Sequence, residues 1–134
     1  MTIHQTRLPP GRPRPKGYSN GVAAKGRMIF TGGIVGWDEA GRFETTLGEQ
    51  FHRVLLNMIA VLHEAGAAPE HIVRMTCYVT DIASYRASLR EIGAVCRELV
   101  GRNFPAMAVV PVKGLVEVEA RIEIATTAVL PDAE

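Results

Sequence analysis

Charged and apolar residues alternate near the end of the chain. The charged positions are Glu117, Glu119, Arg121 and Glu123, and the apolar positions between and after them are Val118, Ala120, Ile122 and Ile124. Because successive side chains of a strand point to opposite faces, this alternation predicts a strand over residues 115–124 with three carboxylates and one guanidinium on one face. The row is typical of a solvent-exposed sheet face. The alternative is a carboxylate in a cleft, placed for proton transfer.

Two further regions could contribute to a site. Residues 104–112 are rich in β-branched residues and bounded by Gly and Pro, which predicts another strand just before the charged row. The run 31–38 places Gly32, Gly33 and Gly36 among apolar residues, and such glycines mark a bulge or a close approach to the backbone. This run has neither GxxxxGK nor GxGxxG spacing, so it is not a phosphate-binding loop.

Composition excludes several classes of function. The 134 residues are 47% hydrophobic and 22% charged with a net charge of +1, which indicates one soluble globular domain. No apolar run approaches the ~18 residues of a membrane span, and the polar, Pro-rich start has no signal-peptide pattern, so we expect no membrane partner. The small net charge argues against a nucleic-acid partner.

The two cysteines, Cys77 and Cys96, occupy apolar positions of the elements described below. The chain has no CxxC pair and no Cys/His spacing typical of a metal site. We therefore expect no metal and a reduced, cytoplasmic setting.

The first elements that position these residues are short. Residues 1–16 carry four prolines and four cations, which predicts an extended arm over the surface rather than a helix or central strand. Its cations are expected to be solvated, with contact to an anion as the alternative. Two short strands are predicted at 18–24 and 27–31, joined by a turn at Lys25 and Gly26. One domain is predicted over residues 17–130, and residues 131–134 form a tail.

Two amphipathic helices are predicted next. Thr46 and Glu49 form a capping box at the start of the first helix, and Gly66 ends it. After a strand at 72–80, Asp81 caps a second helix that ends at Gly101. The order β-β-α-β-α-β-β gives helices for only one sheet face, so the other face is predicted to mediate oligomerisation. Depending on register, that face carries either the apolar set or Tyr78, Met107, Val109 and the charged row.

Six segments together resemble the RidA-type reactive-intermediate deaminase family, also called the YjgF family. They are residues 17–22 (GYSNGV), 29–33 (IFTGG), Asn57 in the first helix, 72–81 (IVRMTCYVTD), 104–106 (FPA) and 122–125 (IEIA). The resemblance implies a chorismate-mutase-like α+β fold and a homotrimer with small-molecule clefts between subunits. It also implies hydrolysis of enamines or imines to carbonyl compounds and ammonia without a metal or organic cofactor.

The resemblance also implies site residues. Tyr18 and Glu123 match the family's catalytic positions, and the glutamate is thought to position and activate the attacking water. Gly32 and Gly33 belong to the substrate-binding glycine stretch, where Gly32 replaces a typical serine. For Glu123, an ion pair with Arg121 is the structural alternative.

The strand after Phe104-Pro105-Ala106 departs from the family pattern. Met107 stands where an arginine normally pairs with the substrate carboxylate, and Val109 replaces a common cysteine. Arginine grips a carboxylate with a planar fork, whereas methionine offers no donor. We therefore expect α-imino acids to bind poorly beside this new apolar wall, to which Trp37 adds unless it only packs within the fold.

Two functions follow from these expectations. The first is a cofactor-free deaminase-type hydrolase acting on an enamine or imine other than the usual α-imino acids. The alternative is a non-catalytic homotrimer that binds a small metabolite in the same clefts. Family members have also been linked with ribonuclease activity, but this chain lacks the basic stretches interleaved with aromatic residues typical of an RNA-binding site.

Overall fold

The computed structural model describes residues 3–132, which form an α+β fold around a mixed sheet. The strands are β1 Gln5–Arg7, β2 Gly21–Ala23, β3 Arg27–Phe30, β4 Ile34–Val35, β5 Ile72–Val79, β6 Ala106–Pro111 and β7 Ile122–Leu130. The helices are α1 Leu47–Glu64, α2 Ile82–Ala87 and α3 Leu89–Leu99, with a 3-10 turn at Pro69–His71 before β5. The predicted α+β class is confirmed.

The main sheet has the strand order β3-β7-β5-β6, and β4 pairs with β7. β7 is antiparallel to β3, β4 and β5, whereas β5 and β6 are parallel. A parallel pair needs a long crossover, which α2 and α3 supply. β6 is therefore an edge strand, and residues near α3 lie close to that edge.

The N-terminal arm is extended and fastened to the domain. β1 pairs antiparallel with β2 in a separate ribbon, with Thr6 opposite Val22. The ring nitrogen Nε2 of His4 lies 2.9 Å from the carbonyl oxygen of Val129 and 3.2 Å from that of His71. The predicted strand at 18–24 is shortened to β2, so Tyr18 precedes it. The end of the predicted tail, residues 133–134, lies outside the described residues.

Helix α1 begins at the predicted capping box. The hydroxyl of Thr46 accepts a hydrogen bond from the Glu49 backbone N–H at 3.2 Å, and the Glu49 carboxylate accepts one from the Thr46 N–H at 3.2 Å. These bonds satisfy backbone donors that a helix start leaves free. The apolar stripe of α1 is fully buried against the sheet through Phe51, Val54, Leu55, Met58 and Leu62.

The second predicted helix is two helices. α2 begins at Asp81, whose carboxylate accepts hydrogen bonds from the N–H groups of Ala83 and Ser84 at 3.0 and 3.2 Å. The break falls at Ser88, whose hydroxyl donates to the Ser84 carbonyl at 2.9 Å. A serine that bonds back to the carbonyl four residues earlier bends a helix, which explains why one apolar stripe is divided between α2 and α3.

The strand predicted over residues 115–124 is wrong in position. β7 begins only at Ile122, which pairs with Val79 at the end of β5, so the residues before it have no strand beside them. Residues 112–121 form a loop instead, and Val116 and Val118 are each 95% exposed. The alternation of the charged row therefore describes a strand only from Ile122 onward.

A buried glutamine holds this loop against the domain. Gln50 is 1% exposed, and its Nε2 donates to the carbonyls of Glu44 and Glu119 at 2.9 and 3.0 Å. Its Oε1 accepts a hydrogen bond from the Arg121 N–H at 2.8 Å. The side-chain amide thus replaces the backbone partner that a strand would have supplied.

Candidate functional site

Met107 and Val109 lie on the face of the sheet that the helices cover. In the β5–β6 pair, Met75 stands opposite Met107 and Cys77 opposite Val109. Met75 and Cys77 belong to the hydrophobic core, and Met107 and Val109 pack against that core. The interpretation that placed Met107 and Val109 beside Tyr78 on the helix-free face is therefore wrong.

Glu123 lies on the opposite, helix-free face. β5 pairs Cys77 with Ile124 and Tyr78 with Glu123. Ile122 and Ile124 are fully buried in the core, and the residue between them must point the other way. Within one chain, Glu123 and the Met107 side chain are thus separated by the sheet itself.

A cavity of about 890 Å³ opens on the helix-covered side, between α3 and the edge strand β6. This volume is in the range of small-molecule sites, about 300–1,000 Å³. Its apolar lining includes Met75, Ile92, Cys96, Val100, Met107 and Val109. Tyr18, Phe104 and Pro105 also line it. Three of the predicted site residues, Tyr18, Met107 and Val109, therefore meet at one cavity.

Tyr18 reaches this cavity because the next residue, Ser19, is hydrogen-bonded to the residues just before β6. The Ser19 N–H donates to the Pro105 carbonyl at 3.0 Å, and the Ser19 hydroxyl donates to the Phe104 carbonyl at 2.5 Å. Gly17, with φ of 80°, takes the left-handed conformation that turns the arm just before Tyr18. Lys16, Gly17 and Tyr18 all line the cavity as a result.

Two ionisable side chains in the cavity are kept neutral. Burial raises the pKa of Tyr85 to about 12, with smaller contributions from Cys77 and Cys96. Burial also raises the pKa of the Cys96 thiol, against the opposing effect of the neighbouring Arg97 charge. The Tyr85 phenol makes no hydrogen bond to any described residue and is available to a ligand. The cavity is therefore apolar around the free hydroxyl group of Tyr85.

On the helix-free face, Glu123 lies against the glycine stretch. A Cβ atom built on Gly33 would overlap the Glu123 carboxylate, so a larger residue at position 33 would have to displace the end of the Glu123 side chain. Within residues 3–132, the Glu123 side chain forms no hydrogen bond or ion pair, including none with Arg121. The carboxylate is therefore held beside Gly33 without a cation from the described residues next to it.

Gly32 and Trp37 do not join the cavity. A Cβ atom on Gly32 would meet nothing within 4 Å. Trp37 packs at a tilt on Phe43, with ring centroids 6.2 Å apart. The Asn57 side chain donates to the carbonyls of Val35 and Trp37 at 3.0 and 2.8 Å. In one chain, Trp37 is 43% exposed beside Phe43 and does not line the cavity beside Met107.

Sequence reasoning missed the cavity residues contributed by the helices. These are Tyr85, Leu89, Ile92, Gly93, Cys96 and Arg97. Gly93 was the available signal, since a glycine inside a helix costs about 1 kcal/mol relative to alanine and needs a reason. It lines the cavity and leaves open the volume that a side chain would fill.

Within residues 3–132, no three His, Cys, Asp or Glu side chains come together in a group that could hold a metal ion. None of the helices in that range combines the length and hydropathy needed to cross a bilayer.

The fold and the cavity together define a small α+β protein with a ligand-sized apolar site at the edge of its sheet. Residues 11–130 match the family described as Endoribonuclease L-PSP. A conserved Rid-family protein of unknown function from Yersinia pestis is 30% identical, covering 95% of this chain and 98% of that one with a TM-score of 0.83.

Two further relatives agree with this match. A RutC family protein of Synechocystis is 32% identical over 98% of both chains. A protein of Thermotoga maritima described as a possible endoribonuclease is 27% identical, covers 96% of this chain and 98% of that one, and has a TM-score of 0.70. The chain belongs to the YjgF/Rid family.

Proposed function

We propose that this protein is a Rid-type hydrolase that converts an imine or enamine into a carbonyl compound and ammonia. One observation carries the proposal: the cavity with Tyr18 and the unpaired Glu123 lie on opposite faces of the sheet. Each face therefore holds half of a site. We propose that two copies of the chain complete it, one supplying the cavity and the other supplying Glu123.

The helix-free face is suited to bring copies together. Met28 and Phe30 pair with Val129 and Thr127 of β7, which places them on the face of Glu123. They are 57% and 67% exposed, and Val110 of β6 is 40% exposed. Exposed apolar side chains on one sheet face are typical of an interface. This arrangement supports a homotrimer in which Glu123 approaches the cavity of its neighbour.

The chemistry follows from the two halves. The Glu123 carboxylate takes a proton from a water molecule while the water oxygen bonds to the imine carbon. The nitrogen takes up both protons of that water, the first through Glu123 and the second from the hydroxyl group now bonded to the carbon. The carbon–nitrogen bond breaks as the hydroxyl oxygen becomes the carbonyl oxygen, and the nitrogen leaves as ammonia. Tyr18, at the cavity edge, donates a hydrogen bond that orients the substrate. An enamine reaches the same step after proton transfer to its carbon.

A second function is favoured by one observation, the apolar character of the cavity around Met107. A lining without a carboxylate-binding arginine also suits a homotrimer that only binds a small metabolite. The two functions differ in whether Glu123 matters for turnover.

The experiment measures ammonia release from imines formed in situ. An amine oxidase supplies a neutral imine from 4-phenylbutylamine, and an amino-acid oxidase supplies an α-imino acid from leucine. We expect the protein to accelerate ammonia release above the spontaneous rate with the neutral imine. No acceleration with either imine, together with saturable binding of apolar molecules, would favour the binding function.

A further inference from the structure

The mouth of the cavity carries positive charge that the proposed function does not use. Lys16, Arg97 and Arg102 line the cavity, and all three are exposed. No Asp or Glu of residues 3–132 lines it. Within residues 3–132, none of the three cations forms an ion pair or a hydrogen bond to another side chain. Three unpaired cations thus surround the entrance to an apolar interior.

The three cations come from separate parts of the chain. Lys16 ends the N-terminal arm, Arg97 lies in the last turns of α3, and Arg102 lies in the loop before β6. Arg97 extends back along α3, because a Cβ atom built on Gly93 would lie 3.5 Å from its Nη1. The guanidinium of Arg97 therefore lies next to Gly93, and both residues line the cavity.

The interior is unsuited to a charged group. Met75 and Ile92 are buried, and Met107 offers no donor. Placing an unpaired charge in such surroundings is costly, whereas a charge held at the exposed mouth keeps its water. A ligand with an apolar body and a terminal anion matches both parts at once.

We propose that the cavity binds an amphipathic carboxylate, with its apolar body on the floor formed by Met75, Ile92 and Met107 and its carboxylate at the mouth beside Lys16, Arg97 and Arg102. The carboxylate contact thus lies at the mouth, away from the position of Met107. As a statement about substrate, this inference rests on the proposed function. The expected substrate is an imine or enamine whose carboxylate is separated from the reacting carbon by an apolar stretch.

The test compares two probes of similar size on the full chain, without turnover. Titration calorimetry measures the Kd of 4-phenylbutyrate and of 4-phenylbutan-1-ol at low ionic strength. Exposed ion pairs are individually weak, so three cations acting together are expected to favour the carboxylate by about tenfold. The preference is expected to shrink when salt is raised.

Three variants locate the interaction. In Arg97→Gln,Arg102→Gln, the preference for 4-phenylbutyrate is expected to fall to about twofold, with the affinity for the alcohol unchanged. Arg90→Gln is the matched control, since Arg90 is an exposed cation of α3 that does not line the cavity. Gly93→Leu fills the cavity without backbone strain and is expected to remove binding of both probes.

Several results would overturn the inference. They are equal affinity for the two probes, no binding of either, a preference that survives the double substitution, and wild-type affinity in Gly93→Leu. Failure of the proposed function is separate: a protein that shows the carboxylate preference but never accelerates ammonia release has the binding site and not the hydrolase activity.

Discussion

The two faces of the sheet differ in what covers them. On one face, α1 and α3 bury a continuous core and leave a ligand-sized cavity beside β6. On the other, Phe30, Met28 and Val110 are exposed, and the Glu123 side chain has no partner among the described residues. Among residues 3–132, the lining of that cavity includes no carboxylate that could activate water. The second face has such a group, and this contrast supports the proposal that two copies of the chain share a site.

The largest effect is expected from removing the carboxylate of the helix-free face. Glu123→Gln keeps the shape of the side chain beside Gly33 but cannot take a proton. We expect the rate of ammonia release to fall by about 100-fold or more, the range typical of a general base. Glu119→Gln is the matched control, because Glu119 is exposed in the 112–121 loop. If the rate of ammonia release fell equally in both variants, Glu123 would have no special role in the reaction.

Assembly through the helix-free face is the next test. Phe30→Asp places a charge on an exposed apolar position and is expected to dissociate the homotrimer proposed above, since an unpaired charge at an interface is costly. Light scattering at micromolar concentration measures the mass. Arg86→Asp, an exposed change on α2, is expected to leave the trimer intact. If the wild-type protein is monomeric, Glu123 cannot lie beside the cavity of another copy, and the proposed shared site is wrong.

A smaller gain is expected from altering the cavity floor. Met107→Arg restores a carboxylate-binding side chain and is expected to raise kcat/KM for the leucine-derived α-imino acid by up to about thirtyfold, or about 2 kcal/mol. The apolar surroundings limit the gain, because the guanidinium loses water there. Adding Glu123→Gln is expected to abolish it. If Met107→Arg,Glu123→Gln is as active as Met107→Arg alone, Glu123 takes no part in the reaction at the cavity.

The smallest expected effect is a pH dependence of stability that arises from Cys77 on the helix-covered face. Burial raises the pKa of Cys77 from 9.0 to about 12, so the folded state holds its proton more tightly than the unfolded state. The stability from this thiol is present below pH 9 and is lost as pH rises from 9 toward 12, by about 1 kcal/mol at pH 10. Denaturant unfolding at pH 8 and pH 10 measures this loss. Cys77→Ala is expected to be less stable at both values but to show a smaller decrease between them.

Much of the fold could be predicted because its signals are local. The capping box at Thr46, the apolar stripe of α1 and the Asp81 cap depend on neighbouring residues, and the structure confirms all three. The start of β7 could not be predicted in this way. Alternation over residues 115–124 fits a strand, but pairing with β5 and the distant Gln50 side chain decide where the strand begins.

The site was less predictable than the fold. Tyr18, Met107 and Val109 meet at the cavity, yet the face on which Met107 and Val109 lie depends on the β5–β6 register, which no local pattern encodes. The helix residues of the cavity were missed because Ile92 and Cys96 fit the apolar stripe of an ordinary core helix. Only Gly93, a costly residue in a helix interior, pointed to open space there.

The central claim, that two copies share each site, is tested most directly by mixing two inactive variants. Glu123→Gln keeps the cavity and lacks the carboxylate, whereas Gly93→Leu keeps the carboxylate and fills the cavity. Unfolding and refolding an equal mixture produces hybrid trimers in which an intact cavity meets an intact Glu123 at about a quarter of the sites. Ammonia release from the neutral imine is therefore predicted to recover to about that fraction of the wild-type rate. A mixture no more active than the separate variants would contradict the account, because a site contained in one chain cannot be restored by mixing.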